Sequence, residues 1–285
     1  MYKLRKAFVL GVIVWGIDTP SLPIARMLGF GQGPTLWLFM ATVSLRRIRV
    51  ERHSHYLRLC LSRPDRYNAI DVATLRGLAS LLDEARHDAV PLIISGDANL
   101  FSVGADINEL SSLTAQQAAT YSQLGHQVIE ALEAWPGVTI AHLSGYALGA
   151  GLELALGCDI LTASSDVRIG LPGLAWALVP CMGGLRRMAC RVGERFSSEL
   201  FLQGAMLGSE QSLREHLIDR IVNDEQHVVT LACEMSEYSP AAVRAIRSLR
   251  LGRQGRIDAG TGSRMFSLPF ASGECQRRLK ALLAT

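Results

Sequence analysis

The stretch GYALGAGLELALGCDI, residues 145–160, constrains this chain more than any other. Gly145, Gly149 and Gly151 lead into a run of leucines and alanines that contains one acid, Glu153. Glycine accepts positive φ and lets backbone approach closely, so the pattern reads as a strand turning into a buried helix near Gly149. The first N–H groups of a helix lack intrahelical partners and carry the positive end of its dipole. One of them can face a developing oxyanion, where a donor is worth about 3–4 kcal/mol. The same glycines also suit a tight helix–strand crossing with no chemistry. Glu153 likewise has two readings: a buried carboxylate available for acid/base work, or a first-turn acid that faces water and is favoured there by the dipole.

Composition narrows the class. At 285 residues and 49% hydrophobic content the chain is globular and long enough to bury a sizeable core. Its formal charge of +3 is scattered. The clusters Arg46-Arg47 and Arg277-Arg278-Lys280 have no interleaved aromatics, so a nucleic-acid partner is not expected. None of the six cysteines forms a CxxC pair, and most lie in apolar segments, which predicts buried, reduced thiols and a cytoplasmic location. His53 and His55 have no neighbours at ligand spacing and read as a polar bend. Neither a metal nor a cofactor is expected.

The N-terminus, MYKLRKAFVLGVIVWGI, has a basic start and then an apolar run, Ala7 to Ile17, resembling a signal-peptide core. Asp18 and Pro20 follow at once, so it is too short to span a membrane. Residues 1–39 read as an extension outside the main fold, and a membrane association is not expected.

From Val43 the pattern is regular. IRVERHSHYLRLCLSRP predicts two strands with a bend at His53-Ser54. RPDRYNAI is a turn, and Asp71 caps a helix carrying Leu75, Leu78, Ala79, Leu82 and Ala85. VPLIIS and GVTIAHLSG are buried strands, TAQQ at Thr114 opens a helix reaching about Trp135, and CDILTAS and VRIGLP are two further strands. Helices are expected at about 197–203, 209–216, 224–238 and from Pro240 onward. The alternation implies an α/β core with a helical C-terminal part. A second small-residue bend, FSVGADINEL, also offers exposed amides, although spacing alone does not bring it to Gly149.

These motifs together resemble the crotonase superfamily, also called the enoyl-CoA hydratase/isomerase family. RPDRYNAID is similar to its early RPxxxNA turn, FSVGADINEL to its oxyanion loop, and GYALGAGLELALGCDI to its central glycine-rich motif. LVPCMGGLRRM and FLQGAMLGSEQSLREHLIDRIV are similar to its later turn and helical signature. The resemblance runs from about Val43 to the C-terminus. It implies a crotonase-like (ββα) spiral core over residues 40–235 and a C-terminal helical trimerisation region, 236–285, with assembly as a homotrimer or homohexamer. It implies an acyl-CoA thioester substrate of fatty-acid metabolism, its oxygen held by the N–H groups of Ala105 and Ala150. The family more often has glycine at the second place, but alanine keeps the N–H. Ala105, Asp106, Ile107 and Asn108 match the acyl-CoA-contacting segment, and Glu153 matches one of two catalytic glutamates.

The second glutamate is absent. Its G-x-P-E segment reads GLPG here, placing Gly173 at that position, and no acid stands between Asp166 and Glu194. Asp106 and Glu109 sit in the oxyanion loop, where acids cap the following helix. The expected activity is therefore that of an enoyl-CoA hydratase/isomerase-like enzyme which stabilises a thioester enolate with Glu153 as its single acid/base group. Double-bond isomerisation, decarboxylation and thioester hydrolysis are family chemistries left open. The alternative is a catalytically silent acyl-CoA binder or assembly protein in which Glu153 is structural.

Overall fold

The computed structural model describes residues 5–9, 12–16, 47–97 and 99–250. The chain divides into two units, Met1–Thr42 and Val43–Thr285. In the first, β1 (Arg5–Val9) and β2 (Val12–Gly16) pair antiparallel, with Ala7 opposite Val14. The rest of the proposed extension, and the C-terminal region beyond Arg250, lie outside the described residues.

The second unit begins with β3 (Ile48–Arg52) and β4 (Leu57–Leu61), joined through the 53–56 bend where His53 stacks on Tyr56. Next come α1 (Val72–Ala85), β5 (Leu92–Gly96), the short α2 (Ile107–Leu110) and α3 (Ala115–Glu133). The central segment holds β6 (Thr139–Leu143), β7 (Tyr146–Leu148), α4 (Ala150–Leu156), β8 (Ile160–Ala163) and β9 (Arg168–Gly170). Then follow α5 (Gly184–Val192), α6 (Glu194–Gln203), β10 (Met206–Gly208), α7 (Ser209–Arg214), β11 (Arg220–Ile221), α8 (Glu225–Met235) and α9 (Pro240–Arg250).

The large sheet has the order β11-β8-β6-β5-β4-β3, parallel except for the β3–β4 pair. Every residue of β5 and β6 is buried, because helices cover both faces of these central strands. Leu75, Leu78 and Leu82 of α1 face Val128, Ile129 and Leu132 of α3 in the main core. On the opposite face Ile93 and Ile140 meet Val228, Leu231 and Ala232 of α8. A second sheet, β10-β9-β7, repeats the advance: β6 is followed by β7, and β8 by β9, so the chain spirals between two sheets. The crotonase-like α/β fold expected from the sequence is present.

Caps and ends explain the boundaries. Asp71 accepts from the Thr74 N–H at 2.7 Å, and Thr114 and Gln117 form a reciprocal capping box. α9 is tied down by Arg247, which is 3% exposed and donates to Asp159, to the Gly137 carbonyl at 2.7 Å and to the Glu133 carbonyl at 3.1 Å. Four elements differ from the sequence reading. β7, β10 and β11 have two or three residues each, too few for alternation to show. α5 starts at Gly184 and is separated from α6 only by Gly193 at φ 83°. Cys60 and Cys158 are buried as expected, but Cys190 is exposed on the outer side of α5.

Leu78→Ala should lower the unfolding free energy by about 2–5 kcal/mol, since the side chain is fully buried between α1 and α3. Ser80→Ala, at an exposed position of the same helix, should change it by less than about 0.5 kcal/mol. Urea melts of the two variants against the parent check both values.

Candidate active site

Two loops converge because each is zipped to a neighbour by strand-like bonds. Ile70 N–H donates to the Gly104 carbonyl at 2.7 Å, and Asp106 N–H donates to the Ile70 carbonyl at 2.9 Å. In such a parallel bridge the residue between the two bonded groups turns its own N–H away from the partner. That residue is Ala105. Ser102 N–H donates to the Tyr146 carbonyl at 2.9 Å and Leu148 N–H to the Ser102 carbonyl at 3.0 Å, which draws the 102–106 loop against β7. A Cβ at Gly104 would lie 2.8 Å from the Leu148 carbonyl oxygen and 3.3 Å from the Ala150 nitrogen. Gly104 has φ 103° and Gly149 φ 50°, so glycine is required at both for backbone reasons as well. Ala150 opens α4, where its N–H has no intrahelical partner. The amides of Ala105 and Ala150 therefore border one cavity.

The RPDRYNAID turn clamps this arrangement. Arg63 lies between Asp71 at 3.0 Å and Asp106 at 3.2 Å and also donates to the Ala69 carbonyl at 2.6 Å. The Asn68 amide, 1% exposed, accepts from Arg63 N–H at 2.8 Å and donates to the Leu100 carbonyl at 2.7 Å. Ser102 Oγ bridges the Asn68 carbonyl and the Gly104 N–H. Asp106 caps α2 through the Asn108 N–H, and Glu109 accepts from Val72 N–H at 2.9 Å. Of the sequence-predicted segment, Ala105 and Ile107 line the cavity with Ala150, while Asp106 faces Arg63 and Asn108 stands exposed on α2.

Glu153 is 1% exposed, which settles its burial. Its Oε1 accepts from the Met182 and Gly184 N–H groups, both at 2.8 Å, and its Oε2 from the Cys181 N–H at 3.0 Å. The carboxylate thus closes the start of α5, satisfying donors that the helix leaves unpaired. Gly184 makes the approach possible, because a Cβ there would lie 2.4 Å from the Glu153 Cγ. The Cys181 thiol stands 3.8 Å from Oε2. Burial and the neighbouring Glu153 push that thiol up to about 12. These donors were missed in the sequence; their signal was the paired glycines of CMGGLRRM.

Glu153, Ala105 and Ala150 share a cavity of about 570 Å³. Gly173 lies on its wall, in a 3-10 turn, Pro172–Trp176. The wall continues through Leu171, Leu174 and Leu178 to Phe201 and Leu202 of α6. Another hollow, about 560 Å³ beside β11 and α8, contains none of the predicted site residues. Among the described residues no group of three or more acids, histidines or cysteines is placed to hold a metal. No helix among them is long and apolar enough to cross a membrane.

Residues 51–257 match the family model described as enoyl-CoA hydratase/isomerase. The chain belongs to the enoyl-CoA hydratase/isomerase family. It is 32% identical over 242 residues to the 2,3-dehydroadipyl-CoA hydratase of Escherichia coli K12, covering 82% of this chain and 94% of the relative. It is 32% identical over 228 residues to a probable enoyl-CoA hydratase of Bacillus subtilis, covering 76% and 88%. The crystal structure of an enoyl-CoA hydratase from Thermoplasma volcanium superposes with a TM-score of 0.78 at 27% identity, covering 83% of this chain and 97% of that one. The protein is accordingly an enoyl-CoA hydratase/isomerase-like enzyme of acyl-CoA processing.

Gly184→Ala should push the Glu153 side chain from its donors and lower stability by about 1–3 kcal/mol, the usual result of overpacking; thermal melts check this. Because the Cys181 thiol stays protonated, iodoacetamide at pH 8.5 should label the exposed Cys190 well before Cys181. Peptide mass spectrometry of a labelling time course reads the order.

Proposed function

We propose that the cavity binds the acyl end of a CoA thioester, with the thioester oxygen between the Ala105 and Ala150 N–H groups. The observation that carries this reading is the convergence of two partnerless amides and one buried carboxylate on a single apolar cavity. The amides stabilise negative charge on the oxygen when a proton leaves the carbon next to the carbonyl. Glu153 takes that proton and returns it to carbon. A carboxylate offers about four lone-pair positions; three accept N–H bonds, and the fourth, on Oε2, is met only by the Cys181 thiol at 3.8 Å, a long contact that a substrate can displace. The reaction class is single-base proton transfer on an enolisable thioester, with double-bond migration as the simplest case. Addition of water is disfavoured because Gly173 supplies no second acid. The family resemblance and the exposed Tyr238 and Ile246, on or near the C-terminal helices, support a homotrimer or homohexamer. We place the protein in the cytoplasm, on the free cysteines among its described residues.

A second reading has its own observation. Three N–H bonds from residues 181–184 are what a purely structural carboxylate would show. In that case the protein binds acyl-CoA without turnover, and Glu153 serves only to fix the start of α5.

Glu153→Gln separates the two. Under the catalytic reading it lowers turnover of 2- and 3-enoyl-CoA substrates by about 10²–10⁴-fold, with acyl-CoA binding retained. Turnover equal to that of the parent assigns Glu153 a structural role. Gly173→Glu should raise hydration of 2-enoyl-CoA above the parent. Gly173 does not have positive φ, and a Cβ there meets Leu178 at 3.3 Å, so only a small shift of Leu178 is needed. Absorbance of the enoyl thioester follows both reactions.

A further inference from the structure

The cavity also describes the acyl group it takes. Resting on the thioester reading above, we infer that this protein prefers uncharged, linear aliphatic acyl groups of about eight to twelve carbons and rejects those ending in a carboxylate. Size comes first. A non-hydrogen atom with its hydrogens takes roughly the volume of a water, about 30 Å³, so a four-carbon acyl group fills on the order of 150 Å³. The cavity has about 570 Å³. Even with the sulfur and the first atoms of the pantetheine arm inside, a short acyl group leaves much of it unfilled, whereas an eight- to twelve-carbon chain occupies it.

Chemistry comes second. Beyond the two amides the wall is hydrocarbon: Leu110, Leu148, Leu171 and Phe201 are buried or half-buried in it, and Trp176 and Val179 stand exposed at its rim. The polar atoms that do line it are engaged elsewhere. Tyr121 donates its hydroxyl to the Ile70 carbonyl at 2.9 Å, Ser122 to the Cys181 carbonyl at 2.5 Å, and both Glu153 oxygens accept from N–H groups. Glu153 is the one charged side chain among the described residues of the wall. A terminal carboxylate seated among Leu110, Leu148, Leu171 and Phe201 would therefore lose water without gaining a partner, in the same cavity as another carboxylate, which is strongly unfavourable. A methyl terminus meets matching surface, and each buried methylene contributes about a fourfold gain in affinity.

The test is isothermal titration of the full chain with butyryl-CoA, octanoyl-CoA and suberoyl-CoA, the last matching octanoyl in length but ending in a carboxylate. Octanoyl-CoA should bind at least tenfold more tightly than each of the others. A gap under tenfold in either comparison overturns the inference while leaving the thioester reading intact. If none of the three binds, the thioester reading itself fails, and the inference with it. Val179→Arg gives a second check. Val179 is 75% exposed, so the variant should keep the parental Tm, yet it places a cation on the cavity wall. The octanoyl-to-suberoyl ratio should fall at least fivefold; a smaller change places the chain end away from this wall and overturns the assignment.

Discussion

A carboxylate buried to 1% exposure, held by three N–H groups of one loop, is the interaction on which the site depends. Burying such a group without partners would cost several kcal/mol. Here the donors belong to Cys181, Met182 and Gly184, so meeting the needs of one side chain fixes the backbone of the whole turn. That turn begins α5, and α5 supplies Leu185 to the cavity wall. The requirement runs back into the sequence as two glycines. Gly183 takes φ 81°, and Gly184 leaves the space that Glu153 occupies. One side chain is thus held still through both of its oxygens, with two donors on each.

The pair of amides is organised differently, by backbone alone. The N–H of Ala105 is turned away from Ile70 because its neighbours' carbonyl and N–H are both engaged there. That of Ala150 has no intrahelical acceptor because it is the first residue of a helix, and both residues line the cavity. Neither depends on its side chain, and alanine at 150 retains the N–H. What side chains do contribute is support one step away. The Arg63 guanidinium, 12% exposed between Asp71 and Asp106, holds the start of α1 and the end of the 102–106 loop to one point.

Much of this was legible in the sequence where a residue's effect is local. Asp71 and Thr114 announce helix starts by their own capping chemistry, and both caps form. The apolar runs of β5 and β6 announce buried strands because both faces need covering. The position of Glu153 in a first turn was equally readable, whereas its burial was left open and its partners were not foreseen. They come from 28 to 31 residues downstream, and backbone donors leave no residue-type signature. The meeting of the 102–106 loop with β7 was invisible for the same reason. β10 and β11 were missed because they exist only through pairing with β9 and β8. Cys190 was misjudged because α5 went unrecognised, and with it the distinction between the inner and outer sides of that helix.

Gly173 stands on the cavity wall in a turn whose architecture requires no acid there. The segment from Leu171 to Val179 borders the cavity, with Leu171 buried and Leu174, Trp176 and Val179 exposed. Its shape is set by Ala177 at φ 56°, whose N–H reaches back to Gly173, and by Leu178 N–H donating to the Gly173 carbonyl at 3.0 Å. The turn therefore folds on backbone bonds alone, whatever side chain position 173 carries. Two carboxylates can divide a reaction between them, one withdrawing a proton while the other delivers one. With one carboxylate, in the proposed reading, the proton that leaves carbon must be returned by the same group. Glu153 is fixed by three hydrogen bonds and cannot swing across the substrate to its other face. In that reading departure and return would occur on one face of the enolate, next to a thiol that burial keeps protonated. Under the proposed reading, moving a proton along one face of a thioester is the chemistry such a geometry favours, and adding water across a double bond is the chemistry for which it lacks a second group.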